Sequence, residues 1–416
     1  MQLSFRGKCF CGFYVGKADT SLYNQASQVV YVRDGERNVV TMASDFKGEV
    51  KDFAMVVPVP TVLKREQISI VNNATIQHLD AYSAPRLVEY YDSDPCTPTP
   101  VRKAQSMARP RPPMMISPTK RAEDLGVKIE AQYTVGEYDI LLLSARESGG
   151  LITWLTEQGY KLPQGAEPVV GSYLKQDMKF FVAKVNLKEQ SKTDFSKLRP
   201  IRIVYDNKKF MLPIRLGTVN SQGEQELFIY ALSRQGRIET TNYRTVKPPS
   251  DQEIPEYVKD TKTFSNFYRD MFVRSAQREK NQAVFLEYAW DMNWCDPCAA
   301  DPLSPSQLKE LGVFWAGTQN QNNGGGAQNV YITRLHLRYN RENFPEDLAF
   351  QTTGNTENFQ GRYIIRHPFK GNATCTAGQN YFSKTLPQRQ ELEAKRLANL
   401  TGWDISEIRK NIATKK

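Results

Sequence analysis

Gln28-Val29-Val30-Tyr31-Val32-Arg33-Asp34-Gly35-Glu36-Arg37-Asn38-Val39-Val40-Thr41-Met42 is the stretch that sets the fold class. Two apolar, β-branched runs flank Asp34-Gly35, and glycine tolerates the positive φ of a tight primed turn. The stretch therefore predicts an antiparallel hairpin. The same signature returns where residues 127–133 and 137–144 flank Val135-Gly136. Strand-like runs follow at 179–187, 201–205, 210–216, 226–232, 236–247, 283–290 and 329–339. In the last of these Tyr331, Leu335 and Leu337 share one face, and His336 and Arg338 the other. The apolar run 53–59 is confined to an edge or a strand end by Pro58 and Pro60.

Helical periodicity fills the intervals. Residues 75–91 read as helix, with Ile76, Leu79 and Tyr82 on one face before Pro85 interrupts. Residues 150–160 carry Leu151, Trp154 and Leu155, and 167–178 form a second helix. Residues 264–279 turn Phe267, Met271 and Phe272 toward a core, and Ser304-Pro305 opens a helix cut short at Gly312. A long charged helix over 388–412 is interrupted around Thr401-Gly402. The expectation is an α+β fold of mostly antiparallel sheets with packed helices, disulfide-stapled, in two to three subdomains for 416 residues. Read along the chain, the blocks are 1–96, 123–247 and 248–416, the last holding the Cys-Asp-Pro-Cys string and the terminal helix. They are separated by a basic, proline-rich linker at 97–122 and by Pro248-Pro249.

The net charge of +10 does not point to nucleic acid. Six of those charges (Arg102, Lys103, Arg109, Arg111, Lys120 and Arg121) lie in the linker, which has no acid and no aromatic. The remainder is spread over the chain, so a nucleic-acid footprint is not expected. The linker reads as a solvated tether, and Arg102–Arg121 could touch a membrane surface or an acidic partner. No apolar run is long enough for a membrane-spanning helix.

The six cysteines are Cys9, Cys11, Cys96, Cys295, Cys298 and Cys375, each near a Gly, Pro or polar turn. An even count so placed suits disulfides in an oxidising compartment. His78, His336 and His367 are isolated from one another, so zinc knuckles are not indicated and no metal or cofactor is expected. The pairing expected is Cys295 with Cys298, and Cys96 with Cys9 or Cys11.

Trp294-Cys295-Asp296-Pro297-Cys298 follows an apolar strand and resembles the active-site turn of the thioredoxin superfamily. That resemblance implies Cys295 as attacking thiol and Cys298 as resolving thiol. Pro302 and Pro305 stand where the activating helix would run, and Asp296 opposes the thiolate. The pair therefore reads as a staple. Serine-hydrolase elbows, zinc-protease helices and phosphate or dinucleotide loops are missing from the sequence. His367, beside Arg366, could act as a general base. Trp290, Trp294 and Trp315 could line a ligand or partner surface, although aromatics so clustered more often cap a core.

Longer strings carry a family resemblance. They are Cys11-Gly12-Phe13-Tyr14-Val15-Gly16-Lys17-Ala18-Asp19, Val57-Pro58-Val59-Pro60-Thr61, the run from Leu79 to Tyr90, the run from Tyr133 to Ile140, and the run from Trp294 to Leu303. Together they resemble the bacterial domain-of-unknown-function 2330 family over about residues 9–410. The resemblance implies export to the periplasm or beyond, although no signal peptide is visible, and it brings no established activity or catalytic residue. The functional expectation is an exported binding or structural protein of the bacterial envelope, such as an accessory subunit of a larger envelope assembly. The alternative is a thiol–disulfide oxidoreductase using Cys295 and Cys298.

Overall fold

The computed structural model describes residues 13–15, 23–47, 54–97, 127–158, 165–186, 188, 198–219, 223–292, 300–317 and 329–414. It is α+β, and the chain divides into two compact units. The first is built from Met1–Ala84, Pro118–Val246 and Lys280–Phe359, and the second from Pro85–Ser117, Lys247–Glu279 and Gln360–Lys416. Each unit thus draws on three separated stretches of chain.

The hairpin forms as expected. Tyr23–Asp34 pairs antiparallel with Arg37–Lys47, Asp34 stands opposite Arg37, and Gly35 takes φ +60 in the turn. The second hairpin, Lys128–Val135 with Tyr138–Ser144, turns at Gly136. In the first unit two sheets face each other. The smaller runs Phe13–Val15, Ala54–Val59, Lys179–Val185, Tyr138–Ser144, Lys128–Val135, all antiparallel. Pro58 falls at the penultimate position of Ala54–Val59, opposite Phe180, which fits the strand-end placement read from the sequence. Eight strands of the larger sheet run Arg244–Val246, Ala283–Asp291, Tyr331–Tyr339, Gln225–Ser233, Tyr23–Asp34, Arg37–Lys47, Ile201–Asp206, Ile68–Ile70. Gln225–Ser233 pairs antiparallel with Tyr331–Tyr339 on one side and parallel with Tyr23–Asp34 on the other.

Alternation sorts the side chains into three apolar layers. Val29, Tyr31, Val40, Met42, Ile229 and Leu335 meet Met55, Ile140 and Phe181 between the sheets. Val30, Val32, Val39 and Leu232, on the far face of the large sheet, are covered by Ile76, Leu79 and Tyr82 of the helix Asn73–Ser83 and by Leu308 of Pro305–Glu310. The helices Ser148–Glu157 and Ala166–Leu174 cover the outer face of the small sheet through Leu151, Leu155, Val170 and Tyr173. Gly312, at φ +99, ends the Pro305–Glu310 helix where any Cβ would lie 2.4 Å from Val39 Cγ1. This glycine is what lets the helix seat on the hairpin.

The second unit holds a three-stranded parallel sheet, Gln252–Ile254, Arg362–His367 and Arg86–Tyr91. Tyr363 and Ile365 pack on Phe267 and Met271 of the helix Thr261–Arg278, and on Leu397 and Ile408 of Leu386–Thr401 and Ile405–Thr414. The break between the last two helices falls at Gly402, as the sequence indicates.

Two element assignments need correction. Residues 86–91, read as helix, are a strand: Pro85 stops the helix at Ser83, and Leu87, Val88, Tyr90 and Tyr91 find a partner strand nearly 280 positions away. Of 210–216, Met211–Leu212 is strand, and after Pro213 the chain turns into the helix Arg215–Val219. That turn is held by buried Asp347, which accepts from Ile214 N at 2.9 Å, Arg215 N at 3.1 Å, Arg215 Nε through its other oxygen at 3.1 Å and the Tyr173 hydroxyl at 2.6 Å.

Asp347→Ala would leave a buried phenol and a half-buried guanidinium without this shared acceptor. The expected loss is about 3–5 kcal/mol of unfolding free energy, read from urea melts. Asp347→Asn should lose less, because its carbonyl oxygen still accepts.

Candidate functional site

Two buried imidazoles have the same surroundings, one in each unit. In the first unit, register on Tyr331–Tyr339 sends Leu335 and Leu337 into the inter-sheet core and Arg334, His336 and Arg338 to the opposite face. A register shift between Leu286 and Tyr288 marks a bulge, which delivers the fully buried Glu287 carboxylate to that same face. Glu287 accepts from His336 Nδ1 at 2.7 Å and from Arg334 Nε at 2.7 Å. His336 Nε2 lies 3.8 Å from Glu226, which pairs in turn with Arg338 at 3.3 Å. Arg334 also meets Asp80 of the helix Asn73–Ser83 at 2.8 Å, and Asp80 accepts from the Tyr230 hydroxyl at 2.6 Å. The imidazole stacks on Phe228 at 4.0 Å, and the Arg334 guanidinium lies 5.0 Å from the same ring. Charges alternate along the chain Asp80, Arg334, Glu287, His336, Glu226, Arg338.

Burial disfavours the charged His336 ring, but Glu287 and Glu226 outweigh it, so its pKa stands above the ordinary value. Burial likewise pushes Glu226 up, yet its contact with His336 and the charge of Arg338 leave it below the usual carboxylate value.

In the second unit His367 Nδ1 is 2.9 Å from Glu256, Nε2 contacts Glu89, and the ring stacks on Tyr91 at 4.4 Å. The His367 side chain is 5% exposed while Glu89 is 42% exposed, so the ring is enclosed and one carboxylate reaches solvent. Arg366 does lie nearby, but it pairs with Glu253 at 3.1 Å and faces Tyr90. Carboxylates occupy both ring positions that a general base would need for substrate.

The other sequence candidates are dispersed. Trp315 is buried and donates from Nε1 to Asn329 O at 2.8 Å, with the Arg234 guanidinium 4.5 Å over its ring. Trp290 stacks on Tyr288 at 6.0 Å, and both tryptophans border the outer core of the large sheet. Trp294, Cys9, Cys11, Cys295, Cys298 and the linker positions from Arg102 to Arg121 lie outside the described residues. Among the described residues no group of His, Cys, Asp and Glu is placed to hold a metal, and no helix is long and apolar enough to cross a membrane.

Cys96 and Cys375 form a disulfide with Cα atoms 5.9 Å apart. This corrects the expected pairing of Cys96 with Cys9 or Cys11. Arg86–Tyr91 and Arg362–His367 run parallel with Tyr91 opposite His367, so both chains leave the sheet at the same end and bring the two cysteines together a few residues further on. The carboxylates of the bridges were not singled out from sequence. Glu287 had a signal: it is the lone charge inside Ala283-Val284-Phe285-Leu286-Glu287-Tyr288-Ala289-Trp290.

Among the described residues the chain is thus an α+β protein of four sheets, the fourth being Met211–Leu212, Leu348–Thr352 and Ile238–Thr240, stapled by a disulfide and pinned by carboxylate–imidazole bridges. It belongs to the bacterial family described as "Uncharacterized protein conserved in bacteria (DUF2330)", whose family model matches residues 6–351. The match ends before the C-terminal helices that the sequence resemblance took in. No curated protein and no solved structure matches the chain.

Burial raises Glu393 as well, to about 7, with Glu253 adding to the effect and Arg389 opposing it. Glu393 and His336 both hold a proton more tightly folded than unfolded, so both contributions fade as pH rises. Stability should fall between about pH 4.5 and 7 through Glu393, and above about pH 6.5 through His336. Glu393→Gln should flatten the lower slope and stabilise at pH 8 by ~1–3 kcal/mol. His336→Asn should flatten the upper slope while lowering stability at pH 6 by ~2–4 kcal/mol. Urea melts across pH 5–9 would check both.

Proposed function

We propose that this protein works outside the cytoplasm as a binding or structural protein of the bacterial envelope, as an accessory subunit of an assembly there. The observation that carries the reading is the Cys96–Cys375 bridge. It joins positions 279 residues apart and lies at the surface, with Cys96 exposed. An accessible disulfide of this kind persists in an oxidising compartment and is reduced in the cytosol. The bridged histidines support a non-catalytic role: His336 Nδ1 and both nitrogens of His367 contact carboxylates within the fold, and buried His336 Nε2 lies 3.8 Å from Glu226. The basic stretch Arg102–Arg121 suits contact with an anionic membrane surface or an acidic partner protein.

The competing reading, a thiol–disulfide oxidoreductase using Cys295 and Cys298, rests on the Trp-Cys-Asp-Pro-Cys string. Alkylation of freshly isolated protein followed by non-reducing peptide mapping is expected to recover a Cys96–Cys375 peptide and no free thiol at either position. An insulin-reduction assay is expected to show no turnover. Free, alkylatable Cys96 and Cys375 would overturn the extracytoplasmic assignment, and sustained insulin reduction would replace it with the redox one. Cys375→Ser should cost about 3–5 kcal/mol, toward the upper end because the closed loop is long.

A further inference from the structure

The first unit contains a cleft of about 220 Å³ that neither bridge uses. Its apolar walls are Pro58, Pro60, Met178 and Met211, and Gln176, Asn207 and Lys209 supply polar groups. This volume is below the ~300–1,000 Å³ of sites for drug-sized ligands, so the occupant is small. The lining is mixed, with Tyr205 and Asp177 among its polar members, so it suits a ligand that has both a short hydrocarbon body and a polar head.

Charge selects the head group. Lys209 is exposed, and its Nζ donates to the neutral Gln176 Oε1 at 3.4 Å, with no carboxylate in ion-pair range among the described residues. Behind Asn207 lies a second cation. Arg33 gives Nη1 to Asn38 Oδ1 at 2.6 Å and to Asn207 O at 2.8 Å, gives Nη2 to Lys208 O at 3.2 Å, and lies 5.1 Å from the Phe210 ring. Its hydrogen-bond acceptors are neutral, and burial pulls the guanidinium below its ordinary pKa, opposed in part by the charge of Glu36. Asp177, the nearest acid in the lining, is already paired with Lys179 at 2.7 Å.

The backbone of the wall is also unusual. Asp177 adopts φ +59 at the end of the helix Ala166–Leu174, where Met178 N reaches back to Tyr173 O at 3.1 Å. This left-handed position favours glycine, and here an aspartate occupies it beside the cleft.

We propose that this cleft binds a small amphipathic carboxylate, with its apolar body between Pro58, Pro60, Met178 and Met211 and its carboxylate toward Lys209. The proposal rests on the reading of the protein as a binding protein and names a ligand class for it.

Isothermal titration of the intact chain with hexanoate, and with hexanamide as the neutral isostere, tests it. Hexanoate is expected to bind saturably at one site, with hexanamide weaker by about fivefold, the scale of one exposed ion pair. Lys209→Gln is expected to erase that difference by weakening hexanoate alone. Met211→Trp, checked for an unchanged thermal melt, is expected to abolish binding of both by filling the cleft. No saturable binding of either probe would overturn the proposal, as would equal binding of both by the native chain. Hexanoate affinity unchanged in Lys209→Gln, or binding that survives in a folded Met211→Trp chain, would also overturn it. If Met211→Trp does not fold, chemical-shift changes on hexanoate addition decide instead: confined to cleft residues they support the site, elsewhere they sink it. These outcomes are independent of the thiol state at Cys96 and Cys375, so this proposal and the envelope reading fail separately.

Discussion

The parallel pairing of Ser27–Val32 with Leu227–Leu232 is the contact on which the larger sheet depends. On one side of it lie the N-terminal hairpin and the strands Ile201–Asp206 and Ile68–Ile70. On the other lie Tyr331–Tyr339, Ala283–Asp291 and Arg244–Val246. Remove this seam and the sheet becomes two halves, each with an unpaired edge. The pairing closes a loop of nearly 200 residues, but closure entropy grows only logarithmically with loop length. The burial it makes possible is larger: Val29, Tyr31, Leu227 and Ile229 enter the inter-sheet core, and Val30, Val32, Tyr230 and Leu232 enter the outer one. A seam of such sequence separation favours slow folding even where the final structure is stable.

A sheet buried on both faces leaves little room for ionisable groups, and the ones it holds are arranged with alternating sign. Glu287 is fully buried, and a lone carboxylate there would be costly. Arg334 and His336 share its two oxygens, Asp80 and Glu226 balance those cations, and the aromatic face of Phe228 lies against both. Replacing such a network by hydrophobic groups is often neutral or stabilising elsewhere, so its effect here is better described as specificity. The two hydrogen bonds to Glu287, one to each oxygen, tie Ala283–Asp291 in register to Tyr331–Tyr339 beyond what apolar packing specifies. His367 between Glu89 and Glu256 does the same for short parallel strands of the second unit.

What was legible in the sequence was local. The hairpin at Gly35, the turn at Gly136, the alternation along 331–339 and the helix break at Gly402 all carry short-range steric signals, and the structure shows each of them. Contacts between distant strands carry no such signal. Residues 86–91 look helical because they continue a helical pattern, and they become a strand because Arg362–His367 offers a ladder. Glu89, Glu226 and Glu256 look like ordinary surface acids until the fold sets each beside an imidazole. A division of the chain into consecutive blocks cannot express two units that each take three separated stretches.

The position of the disulfide follows from the same contrast between units. The first unit buries three apolar layers around long antiparallel strands and has ample core. The second rests on a three-stranded parallel sheet whose outer strand Gln252–Ile254 has three residues, with one apolar cluster. Parallel ladders are slightly weaker per residue, and a small core leaves little margin above the entropy of ordering the chain. Its sheet also joins stretches from near residues 90, 253 and 365, so nothing local holds them while the core forms. A covalent link just beyond the sheet end, between Cys96 and Cys375, removes that freedom from the unfolded chain where non-covalent packing is thinnest. The bridge is therefore best understood as a surface reinforcement of this unit's thin core, and its redox state as a contribution to the unit's stability.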